Sequence, residues 1–111
     1  SSWTLRYDPR VRKELERIRD KEIIRRLKDA AEALQDNPFS GKPLRGYPGV
    51  WSKRVGTKGG EWRIIYLPLK DERVVLIVLM APREEVYELL SAVESPVERE
   101  LRTFQLPGQW D

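Results

Sequence analysis

Hydrophobic and polar positions change period several times along the chain, and each change marks an element. Trp3-Thr4-Leu5-Arg6-Tyr7 alternates apolar with polar, which predicts a first strand. Asp8 followed by Pro9 predicts a helix start, a capping side chain and then proline at the first helical position. Val11, Leu15 and Ile18 then recur at helical spacing and form one apolar stripe. A break at Arg19-Asp20-Lys21 leads to a second helix, with Ile23, Leu27, Ala30 and Leu34 inward and Asp36-Asn37-Pro38 at its end. The two form a helix hairpin with basic outer faces.

Residues 38–49 hold three prolines and three glycines and are expected to be an ordered loop without an element of its own. Three strand-like runs follow. Val50–Val55 and Trp62–Leu67 flank Gly56-Thr57-Lys58-Gly59-Gly60, a glycine-rich hairpin connection. Arg73–Met80 is almost wholly apolar, as a central strand buried on both faces requires. Pro82 then opens a third helix with Val86, Leu89, Leu90 and Val93 inward, interrupted at Ser95-Pro96. The fold class expected is α+β, in the order β-α-α-β-β-β-α. It is a small antiparallel sheet of about four strands, with the N-terminal helix hairpin on one face, a C-terminal helix, and the other face partly open. Residues 1–94 form the domain expected, and 95–111 a C-terminal extension, with a short helix and tail.

Composition narrows the chemistry. The 111 residues suit one core. With 40% hydrophobic and 35% charged residues, the chain is expected to be folded and soluble. The longest apolar run, Val74–Pro82, is strand-sized, and Ser1-Ser2-Trp3-Thr4 lacks the start of a secretory signal, so a cytoplasmic location is expected. There is no cysteine and no histidine. Disulfides, thiol nucleophiles, the usual zinc sites and imidazole acids or bases are therefore excluded, and no metal or cofactor is expected. Any catalysis falls to Arg, Lys, Tyr, Glu or Asp.

The net charge of +3 is unevenly placed. Between Asn37 and Gly60 there are five basic residues (Lys42, Arg45, Lys53, Arg54, Lys58) and no acidic one, whereas residues 84–111 carry seven acidic and two basic. Such a segment is either a solubilising surface or one that faces a polyanion. Three local arrangements bear on that choice. The hairpin turn would set Arg54 opposite or diagonal to Arg63, a repulsive pair unless solvated or bridged by a phosphate, whose geometry a guanidinium fork matches. Arg83 and Tyr87, four residues apart, are neighbours on a helix margin, either packed locally or reaching the open sheet face. Tyr47, Trp51 and Trp62 are either core aromatics or platforms for stacked bases.

Taken in order, these segments resemble a known family. Leu44-Arg45-Gly46-Tyr47-Pro48-Gly49-Val50-Trp51-Ser52-Lys53-Arg54-Val55-Gly56 is similar to the "leucine, basic residue, glycine, then aromatic–basic strand" segment of the RelE/ParE toxin superfamily. Glu61-Trp62-Arg63-Ile64-Ile65-Tyr66 resembles its strand signature, and Arg83-Glu84-Glu85-Val86-Tyr87 its "Arg-x-x-Val-Tyr" motif. The helix hairpin ending in Asn37-Pro38 also fits, so the resemblance covers roughly residues 3–90.

The resemblance to RelE-like members implies a toxin that cuts mRNA in the ribosomal A site, by attack of a 2′-hydroxyl on the adjacent phosphate. It implies Arg63 at the scissile phosphate, Arg83 at the leaving 5′-oxygen and Arg54, with Lys53, on the backbone. Tyr87 would orient the 2′-hydroxyl or accept its proton, and Lys42, Arg45 and Lys58 would add RNA contacts. A phenol near pKa 10 is a poor base unless nearby cations depress it. Where the family's nucleases carry two basic residues on one face of the hairpin's first strand, this chain has Ser52 and Arg54, with Lys53 on the other face. Partners implied are an antitoxin, the ribosome and mRNA. A ParE-like poison of DNA gyrase and a catalytically inactive antitoxin-binding relative are the other readings.

Overall fold

The structure, a computed structural model, describes residues 3–91. Strand β1 (Thr4–Tyr7) alternates exposed and half-buried residues. Helix α1 (Pro9–Arg17) starts where proline at its first turn needs no N–H partner, and the Asp8 carboxylate accepts the Arg10 N–H at 2.9 Å. It buries Val11 and Leu15 and ends at Ile18, whose extended backbone (φ −74°, ψ 121°) breaks the helical run. Asp20 caps α2 (Lys21–Ala33), accepting from the backbone N–H groups of Glu22 and Ile23 at 2.9 and 3.3 Å. Leu27 and Ala31 of α2 and Leu34 at its C-cap are buried, while Ile23 and Ala30 are only half-buried; the stripe is turned slightly from the expected one.

The sheet holds β2 (Lys42–Pro43), β3 (Trp51–Thr57), β4 (Gly60–Leu69) and β5 (Val74–Pro82), with strand order β1-β5-β4-β3-β2. It differs from expectation in two ways. The proline- and glycine-rich loop contributes a strand of two residues, β2, making five strands, and β1 runs parallel to β5 in an otherwise antiparallel sheet. Neither feature has a hydrophobic period to reveal it.

Both faces of the sheet are covered over β5, where every residue from Val74 to Ala81 is buried. Val55, Ile64, Tyr66, Val75, Ile77 and Met80 pack with the helix hairpin; Ile65, Leu67, Val74, Leu76, Val78, Leu79 and Ala81 pack with Leu44, Val50, Val86 and Leu90. The change of parity inside β5 comes from a bulge. Ile65 pairs with Leu79 and Tyr66 with Ile77, so Val78 is the additional residue, and Val78 and Leu79 lie on one face. That shift puts Ala81 beside Arg63, on the face away from the helices. The chain then leaves through a 3₁₀ turn, Arg83–Glu85, before residues 86–91 become α-helical (α3), so the third helix starts later than Pro82. Val93, the interruption at Ser95-Pro96 and the extension 95–111 lie outside the described residues.

Candidate functional site

The hairpin between β3 and β4 sets Arg54 directly opposite Arg63, with Ala81 of β5 next in the same row. Strand alternation puts Ser52, Arg54, Glu61 and Arg63 on the face away from the helices and Lys53 on the helix face, in the row of Ile64. The two guanidiniums differ in exposure: the Arg63 side chain is 19% exposed and that of Arg54 70%.

Between them lies an acid that the basic character of the segment conceals. The Arg63 Nε–H donates to Glu61 Oε2 at 2.6 Å, and Arg54 Nε lies 3.9 Å from the same oxygen. The Arg63 hydrogen bond holds the Glu61 carboxyl below the ordinary glutamate range, opposed by partial desolvation and reinforced by the charges of Arg63, Arg54 and Arg83. Two arginines, from β3 and β4, thus lie against one carboxylate, and the charge of Arg83 in the turn before α3 acts on it as well. The signal that finds Glu61 in the sequence is its place two residues before Arg63 in a strand, which puts it on the same face.

An open groove of about 400 Å³ runs past this cluster, lined among others by Lys42 and Arg45, by Ser52 and Arg54, and by Arg63 and Tyr87. An adjoining hollow of about 560 Å³ is lined by Leu44, Arg63, Arg83, Glu84, Val86 and Tyr87. Arg63 and Tyr87 border both. Of the residues singled out in the sequence, the fold therefore gathers Arg54, Arg63, Arg83, Tyr87, Lys42 and Arg45 around one surface. Lys53 borders the groove from the other side of β3, and Lys58 stands at the hairpin tip with its Nζ 3.0 Å from Asp20. Ser52 Oγ is buried and has no hydrogen-bond partner among the described residues.

The aromatics divide. Tyr47 sits 6.4 Å from Tyr87, ring centre to ring centre, and Tyr87 is 55% exposed, so this pair offers ring surface beside the arginines. Trp51 and Trp62 do not: both pair in rows that face the helices, and Trp51 packs edge-on against Phe39 at 5.2 Å. Of the two readings open for them in the sequence, packing is the one the structure supports.

Two loops hold the site in place. Gly41 N–H donates to the Oη of Tyr66 at 3.2 Å, tying the loop that carries Lys42 to the centre of the sheet. Burial raises the Tyr66 pKa, with the Gly41 hydrogen bond acting in the opposite direction. The segment from Leu44 to Val50 closes on itself through Leu44 N–H to Val50 O at 2.8 Å, with Gly46 and Gly49 at φ +86° and +81° supplying the reversals. Among the described residues no group of three or more carboxylates is placed to hold a metal ion. No helix among them is long and apolar enough to cross a membrane.

The described residues thus form a five-stranded α+β domain with an open groove bordered by arginines and a tyrosine. The chain belongs to the ParE toxin family of type II toxin–antitoxin systems (parDE), whose model matches residues 5–87. Among solved structures, the Mycobacterium tuberculosis RelBE2 toxin–antitoxin complex is similar at 27% identity and TM-score 0.65, over 75% of this chain and 100% of that one. A doubly substituted mutant of Escherichia coli RelE in the free state aligns at 23% identity and TM-score 0.63 over 79% and 93%. The archaeal RelE–RelB complex of Pyrococcus horikoshii aligns at 22% and 0.56 over 75% and 97%; these last two show a common fold. No curated protein matches in sequence.

Proposed function

We propose that this toxin is a metal-independent endoribonuclease that cleaves mRNA in the ribosomal A site and so inhibits translation. The observation that carries the reading is that Arg54 and Arg63 border one groove, and Arg63 and Arg83 the hollow beside it, with Tyr87 on both. In-line phosphoryl transfer depends on positioning and on stabilising charge at the phosphate, which guanidiniums supply without a metal. Arg63, the least exposed of the Arg54–Arg63 pair, takes the non-bridging oxygens of the scissile phosphate. Arg54 holds the neighbouring backbone, with Lys53, Lys42 and Arg45 adding contacts. Lys58 joins them only when its pair with Asp20 opens. Tyr87 orients the 2′-hydroxyl. The 2′-oxygen bonds to phosphorus as the bond to the 5′-oxygen breaks, its proton passing to Tyr87 or water. The leaving 5′-oxygen, its charge stabilised by Arg83, takes a proton from water, giving a 2′,3′-cyclic phosphate and a 5′-hydroxyl.

The protein partner we propose is a cognate antitoxin, since similar structures include toxin–antitoxin complexes. An amphipathic antitoxin segment that covers the groove would neutralise the arginines. Acting on ribosomes, the toxin would work in the cytoplasm.

Adding the protein to translating ribosomes and mapping mRNA ends by primer extension tests the reading. Wild-type protein is expected to cut at A-site codons. Arg63→Ala should slow cleavage by about 10²-fold or more, the scale of losing one transition-state charge contact, and Tyr87→Phe should slow it less. No cuts at several-fold excess over ribosomes would sink the nuclease. The match to the ParE family favours a second reading, a ParE-like inhibitor of DNA gyrase, and inhibition of supercoiling without RNA cleavage would establish it.

A further inference from the structure

We propose that Glu61 is a positioning residue of the nuclease site, an internal counter-ion that fixes the Arg63 guanidinium so that its outer edge faces the scissile phosphate. The inference rests on the nuclease reading above and assigns to that site a residue of opposite charge to its substrate-binding groups.

The geometry points to holding rather than blocking. Glu61 engages Arg63 through Nε, the inner nitrogen of the guanidinium, at 2.6 Å. No described residue hydrogen-bonds the two Nη atoms of Arg63, which form the edge that takes a phosphate in a two-pronged contact. A carboxylate that plugged the site would occupy that outer edge. Arg54 and Arg63 also share one row of the sheet, where like charges repel, and the same Oε2 lies within 3.9 Å of Arg54 Nε. Glu61 therefore offsets the repulsion that would drive the two side chains apart. Its own row is free, because its partner across the hairpin is Gly56, and a Cβ there would meet nothing within 4 Å.

Such a counter-ion acts on rate and affinity with opposite sign. It lowers the positive potential that draws RNA in, so it weakens binding. It removes the rotational freedom of a long side chain before the reaction, so it accelerates the chemical step. A residue that merely stabilised the fold would not separate the two.

The test compares Glu61→Ala and Glu61→Gln with wild-type protein on mRNA-programmed ribosomes, reading the single-turnover rate at saturation and the half-saturating toxin concentration. Glu61→Ala is expected to cut about tenfold or more slowly at saturation, yet to half-saturate at a toxin concentration about two- to fivefold lower. Glu61→Gln retains an oxygen that accepts from Nε–H, so it should recover most of the rate while keeping the tighter binding. ¹⁵N spectra of the free proteins should show the Arg63 Nε–H resonance protected in wild type and in Glu61→Gln and lost in Glu61→Ala. A wild-type saturating rate in Glu61→Ala, weaker binding at unchanged rate, or an Arg63 Nε–H signal indifferent to both substitutions would overturn the positioning role alone. Absence of cutting by the wild type would overturn the nuclease reading, and this role with it.

Discussion

Gly41 shows how one residue can control a site it does not enter. A Cβ at this position would lie 2.4 Å from the backbone oxygen of Ser52 and 2.7 Å from Tyr66 Oη. The first neighbour is backbone in a paired strand and cannot move aside, so Gly41→Ala must push the loop off β3. The expected cost is about 1–3 kcal/mol, the usual range for overpacking, measured by urea unfolding. Because the loop carries Lys42 and Arg45, the same substitution should weaken RNA binding. At this scale the sequence displays charge and hides geometry. Arg54 and Arg63 are legible as candidates because the strand period places them, whereas Arg83 lies in the 3₁₀ turn before α3 and meets Tyr87 at the hollow without sharing a helix with it. Gly41 is one glycine among several in a loop, and what makes it indispensable is the approach of two chains distant in sequence. Glu61 escaped for a different reason: beside so many arginines an acid reads as ordinary surface, and only pairing across the hairpin puts it between two of them.

Among elements, the hairpin tip and the start of α2 form a unit. Asp20 caps α2 and also receives Lys58 Nζ at 3.0 Å, which joins the β3–β4 turn to the helix hairpin. The hydrogen bond from Lys58 is the main cause that lowers the Asp20 pKa; partial desolvation opposes it, and the Ile23 and Glu22 N–H groups add to it. A carboxyl held below its unfolded value contributes stability above the unfolded pKa and loses it as pH falls through the folded one. Lys58→Ala should therefore lower the melting temperature at neutral pH, and its difference from wild type should vanish once pH drops below the folded Asp20 pKa. Thermal melts at pH 7 and in strong acid check this, and a difference that persists in acid would show that Lys58 acts by packing. The first helix cap is legible in sequence because Asp8-Pro9 announces it locally, whereas the break at Arg19-Asp20-Lys21 marks the start of α2 without singling out Asp20 as its cap. The parallel pairing of β1, the two-residue β2 and the bulge at Val78 are not legible. Period carries no strand direction, two residues have no period, and a wholly apolar run looks the same with or without an additional residue.

For the molecule as a whole, a net charge of +3 is too small to concentrate RNA by itself, and what matters is where the charge is free to act. For Arg25 and Arg26 on α2 it is not: Arg25 is paired with Glu22 at 2.6 Å and Asp29 at 3.1 Å, and Arg26 lies 3.5 Å from Glu22. Around the groove, Arg45 has no ion pair among the described residues, while Arg54 and Arg63 share the single carboxylate of Glu61. Binding to single-stranded RNA releases counterions in proportion to the phosphates contacted, with a slope of log affinity against log salt of about −0.7 per contact. Six contacts, from Lys42, Arg45, Lys53, Arg54, Arg63 and Arg83, predict a slope of about −4 for an oligonucleotide made uncleavable by 2′-deoxy substitution. Fluorescence anisotropy at several salt concentrations measures it. Arg54→Ala should make the slope shallower by about 0.7, whereas Arg25→Ala should leave it unchanged, since removing a guanidinium already neutralised within its helix frees no phosphate contact. The reverse pattern would mean that RNA runs over the helix hairpin, and the groove beside Arg63 would then have to serve another ligand.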